Sequence, residues 1–148
     1  MNANPGYHRR DRGDREAPVT ISTGAIRFGD PIDAKLYSDI AEEAAKAVVA
    51  GAGRDVNKPS QLRRFYDELC MLQAKVGNDA ERFKAQEPFV QMLKAKVAYA
   101  KGRQKVDGNF EALLRHVVDG IADYKTFAQA KLFMEAFMAY YKAHDPRD

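Results

Sequence analysis

From Pro31 onward, apolar residues recur every three to four positions with polar residues between them, which is the period of amphipathic helices. The pattern predicts a first helix from Pro31 to Ala50, with Ile32, Leu36, Ile40, Ala44, Ala47 and Val48 on one stripe and Gly51 and Gly53 stopping it. A second helix opens at Lys58-Pro59-Ser60, where proline fits because the first turn needs no amide donor. Its stripe is Leu62, Phe65, Tyr66, Leu69, Leu72 and Val76, and Gly77 ends it. Asn78 is the expected N-cap of a short helix that Pro88 interrupts or kinks. A further helix then runs to Gly102 with Phe89, Val90, Leu93, Val97 and Ala100 inward. Asp107 or Asn109 caps the next, whose stripe is Phe110, Leu113, Leu114, Val117, Val118 and Ile121. The last spans Tyr124 to His144 and repeats Phe127, Ala130, Phe133, Met134, Phe137, Met138 and Tyr141 at helical spacing. No segment after residue 31 alternates with period two over a strand's length. The expected fold is therefore all-α: a single-domain bundle of about five main helices.

Residues 1–30 break this pattern and are predicted to form a flexible N-terminal arm, leaving 31–148 as the helical bundle domain. The arm begins with a polar, Arg-, Asp- and Gly-rich stretch. It continues through a short β-branched segment broken by Gly24 and Gly29. Such a segment buries too little apolar area to offset the cost of ordering it alone, so it is disordered or docks as an extended strand. The 148 residues suffice for one buried core. No apolar run approaches the roughly 20 residues that cross a bilayer, and the N-terminus has no apolar stretch of a secretory signal. The single cysteine, Cys70, has no intramolecular partner, so a cytoplasmic location is expected, with no membrane contact.

Catalytic chemistry has little to build on. His8, His116 and His144 lie far apart, and none is three or four residues from another His or Cys, so no metal site is expected. His116 falls at the edge of an apolar stripe. Cys70 lies beside one with no histidine near it, and reads as a small buried hydrophobe. Glu42 and Glu43 project about 100° apart on a helix and cannot share a proton. The aromatics of the last helix read as core, with Tyr140 facing outward. No enzyme and no cofactor is expected.

Charge changes the picture once it is divided. The chain carries 24 Lys+Arg against 21 Asp+Glu, a formal +3. Residues 54–105, however, hold 12 basic and 6 acidic side chains, while the segments on either side are slightly acidic. Helical projection puts Arg64 opposite the buried centre of the second helix, with Arg63 on one flank and Gln61 on the other. In the helix after Pro88, Lys94 and Lys101 fall on one shoulder, and Lys96 and Arg103 on the other, beside Tyr99. Redundant flexible cations with an amide to fix register suit a phosphate backbone. The same residues equally suit a solvated face with Lys stems covering apolar edges.

Three segments together resemble a known family, the small helical subunit of the type III-A CRISPR–Cas effector (the Csm complex). They are Lys58-Pro59-Ser60-Gln61-Leu62-Arg63-Arg64-Phe65-Tyr66, then Lys96-Val97-Ala98-Tyr99-Ala100-Lys101-Gly102-Arg103, and the stretch from Phe127 through Phe133 and Glu135-Ala136-Phe137 to Ala139-Tyr140. The resemblance covers residues 31–144. It implies a non-catalytic bundle, repeated in several copies along an antiviral complex. The bundle would lie beside the repeated backbone subunit, in a complex that also holds a large polymerase-like subunit, and line the groove where guide RNA pairs with target RNA. Specificity would come from pairing, with the protein holding backbone. Lys58, Gln61, Arg63, Arg64, Lys101 and Arg103 match its motifs as RNA contacts; Lys94 and Lys96 are added from helical projection. Tyr66 and Tyr99 are alternatively structural, packing the two helices together. The competing expectation is a protein–protein scaffold, such as the type III-B small subunit, whose basic face docks an acidic partner without touching RNA.

Overall fold

The computed structural model describes residues 18–145 and residue 147. Five helices follow one another: α1 (Asp39–Ala50), α2 (Pro59–Val76), α3 (Ala80–Gly102), α4 (Gly108–Asp119) and α5 (Tyr124–His144). There is no strand among the described residues, and the all-α bundle expected from the periodicity is what forms. Helix α5 lies against α1 and α2, α3 lies against α2 and α4, and α1 also meets α4. One core joins them, with Leu62, Leu69, Leu93, Leu113, Phe133 and Met134 fully buried. A file of rings runs through it: Phe65 to Phe110, Phe110 to Phe137 and Phe137 to Tyr141 have centroids 5.6, 6.2 and 5.7 Å apart. The α5 aromatics are core, as their spacing indicates. Tyr140 is half-buried against that core rather than outward.

Four further local expectations need correction. Phe89, expected inward, is 54% exposed on α3. Helix α1 begins at Asp39, not Pro31, and residues 34–38 form turns that still bury Leu36. The Asp33 carboxylate accepts the Lys35 amide at 2.8 Å, a local bond that competes with helical pairing. The N-cap of α3 is Asp79, not Asn78, with its carboxylate accepting the Arg82 amide at 2.9 Å. Pro88 does not divide the helix: α3 is continuous over 23 residues. Pro88 and Lys84 are both exposed, so water can reach the Lys84 carbonyl that lacks its helical donor.

Of the thirty residues expected to form an arm, 18–30 dock as irregular chain with a turn at Gly24-Ala25 rather than as a strand; Met1–Ala17 lie outside the described residues. Asn109 Oδ1 accepts the amides of Thr20 and Ile21 at 2.8 and 3.0 Å. Asp107 therefore takes the cap of α4 alone, accepting from the Phe110 amide at 3.0 Å. The Gln129 amide binds both backbone groups of Gly29, at 2.7 and 2.8 Å. His116, half-buried at the core's edge, meets the Ile26 carbonyl at 2.7 Å, and Ile26 itself is buried.

The joints that shape the basic region centre on Asn57, which is buried at φ 58°. Its amide donates to Lys105 O at 2.9 Å, and its side chain donates to Val48 O at 3.2 Å. Its Oδ1 accepts the Asp107 amide at 2.9 Å, and its carbonyl accepts the Tyr141 hydroxyl at 2.5 Å. The end of α3 is turned back by Gln104 at φ 60°, with Lys105 N bonding Ala100 O and Gln104 N bonding Lys101 O, both at 2.9 Å. That is a Schellman ending. Together these bonds fasten the loop after α3 beside the entrance to α2.

Candidate nucleic-acid interface

Helices α2 and α3 run in opposite directions, so the first turns of α2 face the last turns of α3. Between them lies an open groove of about 340 Å³. Its floor includes Phe65 and Ala100, and its rim carries Gln61, Arg64 and Glu68 from α2 with Lys96, Tyr99 and Arg103 from α3. Lys105, in the loop that Asn57 fastens, completes the lining. Four cations thus surround one carboxylate. Glu68 pairs with Lys96 at 2.5 Å. Arg64 has no hydrogen bond or ion pair with any described residue, and the Arg103 guanidinium rests over the Tyr99 ring, 5.8 Å from its centroid. Such a groove presents hydrogen-bond donors and positive charge, which suits binding a polyanion.

A family model described as Csm2 Type III-A matches residues 33–147, a span that contains all five helices. The chain belongs to the Csm2 family. It is therefore a structural subunit of a type III-A CRISPR complex. No curated protein and no solved structure matched the chain.

Of the eight positions singled out in the sequence, this Csm2 chain gathers four in the groove: Gln61, Arg64, Lys96 and Arg103. The others lie elsewhere. Lys58 sits at the N-cap of α2 and pairs with Asp55 at 3.4 Å. Arg63 faces α5, in a shallow cleft with Pro59, Ser60, Met138 and Lys142. Lys94 pairs with Asp119 of α4, and Lys101 lies against Gly108 at the start of the same helix. The two shoulders of α3 thus serve different neighbours, one turned to α2 and one to α4. Lys105 was not among the eight, because projection along a helix stops where the helix does. Its signal was only its place in the basic segment.

The two tyrosines also separate. Tyr99 does not pack α2 on α3; it is 66% exposed in the groove. Tyr66 is half-buried and faces α5, where its hydroxyl lies 3.5 Å from Glu135. Burial, then the neighbouring Cys70 and Glu135, push the Tyr66 hydroxyl above the ordinary phenol range, so it stays protonated. Cys70 is half-buried beside it rather than within the core. Among the described residues no cluster of three or more His, Cys, Asp or Glu is placed to hold a metal ion. No helix there is long and apolar enough to cross a membrane.

Proposed function

We propose that this Csm2 subunit is a non-catalytic RNA-binding element of its complex, acting in cytoplasmic defence against invading nucleic acid. In this reading several copies stand side by side along the repeated backbone subunit, in an assembly completed by the large polymerase-like subunit. Each copy turns the α2–α3 groove to the backbone of guide or target RNA. The observation that carries the reading is the convergence of Arg64, Lys96, Arg103 and Lys105 around Gln61 in one groove. Cations placed this way neutralise consecutive phosphates and release their counterions, so binding is independent of sequence and falls steeply with salt.

Charge reversal separates the groove from the rest of the basic segment. Arg64→Glu, Arg103→Glu and Lys105→Glu together are expected to strip RNA from the assembled complex. Each alone should lower the slope of log affinity against log salt by about one. Lys58→Glu and Arg63→Glu, outside the groove, should do less. RNA retention unchanged by the triple substitution would sink the assignment.

Exposed Phe89 and Met92 on α3 favour a second reading, a protein–protein scaffold. In that case the chain ignores RNA even at low salt, and the groove cations dock an acidic partner.

A further inference from the structure

Tyr99 is hard to account for by packing. Helix α3 holds to the core through Phe83, Val90, Leu93 and Val97, and Tyr99 projects from its other side. Two-thirds of its surface meets solvent, and its hydroxyl has no hydrogen-bond partner among the described residues. A large aromatic left open in a cationic groove offers something phosphate cannot use: a flat apolar face. Arg103, four residues on, lies over the same ring and adds a second planar group beside it.

We propose that Tyr99 is a stacking seat for a single unpaired nucleobase of RNA whose backbone is held by Arg64, Lys96 and Lys105. This rests on the groove being an RNA surface, and adds that the groove distinguishes an unstacked base from a continuous duplex. Bases inside a duplex stack on one another and show the protein only their edges and backbone. A base turned out of the strand can lay its face on the phenol ring. The groove volume, about 340 Å³, falls at the small end of sites that hold compact planar ligands. The Gln61 amide, on the rim, can both donate to and accept from the edge of any base. The seat therefore requires no particular sequence.

The test compares two single-stranded RNAs of equal length at low salt, an oligoadenylate and a ribose-phosphate chain lacking bases. Each is titrated against the full chain by fluorescence anisotropy. The wild-type chain and Tyr99→Phe should hold oligoadenylate about tenfold more tightly than the abasic chain, the loss expected for one stacked base. Tyr99→Leu, on an exposed position that the fold does not use, should erase that difference while still binding both RNAs. Arg64→Glu should weaken both RNAs together. Equal binding of the two RNAs by the wild-type chain, with Arg64→Glu still weakening both, would overturn the stacking seat and leave the groove. Tyr99→Phe behaving like Tyr99→Leu would overturn it too, since the hydroxyl rather than the ring would then matter. No RNA binding at low salt, or binding indifferent to Arg64→Glu, would remove the groove and the seat with it.

Discussion

Asn57 spreads its four polar groups over three parts of the chain: α1 through Val48, the α3–α4 loop through Lys105 and Asp107, and α5 through Tyr141. It also occupies the left-handed region, which Asn tolerates better than most residues. Asn57→Ala would leave the Asp107 amide without its partner and remove one of the two donors to Val48 O, which keeps the Gly51 amide at 3.2 Å, and would put a Cβ residue with no compensating bond at positive φ. A loss of about 2 kcal/mol is expected, from one stranded half-buried amide, the lost bond to Val48 O and the added backbone strain. Urea unfolding should show it as a lower midpoint at unchanged slope. Nothing in Val56-Asn57-Lys58 announced this role. A backbone turn of positive sign depends on what surrounds it, and the surroundings of Asn57 come from segments far apart in the chain. Asp145 is similar: its Arg147 hydrogen bonds hold its carboxyl below the usual aspartate range, and neither residue belongs to a helical stripe. The caps were foreseen only in part: that of α4 lay between Asp107 and Asn109, that of α3 was placed one residue early at Asn78, and Asp123 was not singled out. Asp107 and Asp123 each stand just before an apolar run and accept the amide three residues on, at 3.0 and 2.8 Å.

At the scale of the element, periodicity settled helix number and type, and misjudged two boundaries. Pro88 looked like a break because the cost of an interior proline, about 3 kcal/mol, is local and easy to see. The opposing term is not local. Phe83 before it and Val90 after it are both buried on the same core, and burying each stabilises by about 1.5–3 kcal/mol. Together they match or exceed the proline's cost, so the helix runs through. The cost is nonetheless still present in the folded chain. Pro88→Ala restores an amide donor to the Lys84 carbonyl at an exposed position and should stabilise by at least about 1 kcal/mol. Thermal unfolding would read this as a raised midpoint, and a lowered one would mean that the ring itself supports the fold. The start of α1 failed in the other direction. Ile32 and Leu36 keep helical spacing, yet turns place Leu36 in the core equally well once Asp33 captures the Lys35 amide.

The basic character of residues 54–105 was legible for the whole molecule, as was the division of α3 into two shoulders. Which shoulder meets which helix was not. Projection gives angles about one axis, whereas a groove needs two axes and their order in space. Lys94 and Lys96 therefore looked equivalent, although one faces Asp119 of α4 and the other lines the groove. Whether segment 18–30 docks was left open for the same reason, since its anchors, Asn109, His116 and Gln129, sit on α4 and α5. With the groove assembled, Glu68 gains a meaning it lacked as one charge among many. Its carboxylate already occupies Lys96 at 2.5 Å. The groove thus carries its own tethered competitor. A phosphate that binds Lys96 must displace a carboxylate tethered at contact distance, which a lone anion does poorly. A chain of phosphates anchored at Arg64, Arg103 and Lys105 does it readily, because its next charge arrives at high effective concentration. If the groove holds RNA as proposed, Glu68 would act as a length filter, keeping free nucleotides and small anions off Lys96. Glu68→Gln should raise affinity for a mononucleotide by a larger factor than for a long RNA, measured by titration at one low salt concentration. Equal factors would mean that the carboxylate sets only the strength of the groove and leaves its preference for polymers to the spacing of its cations.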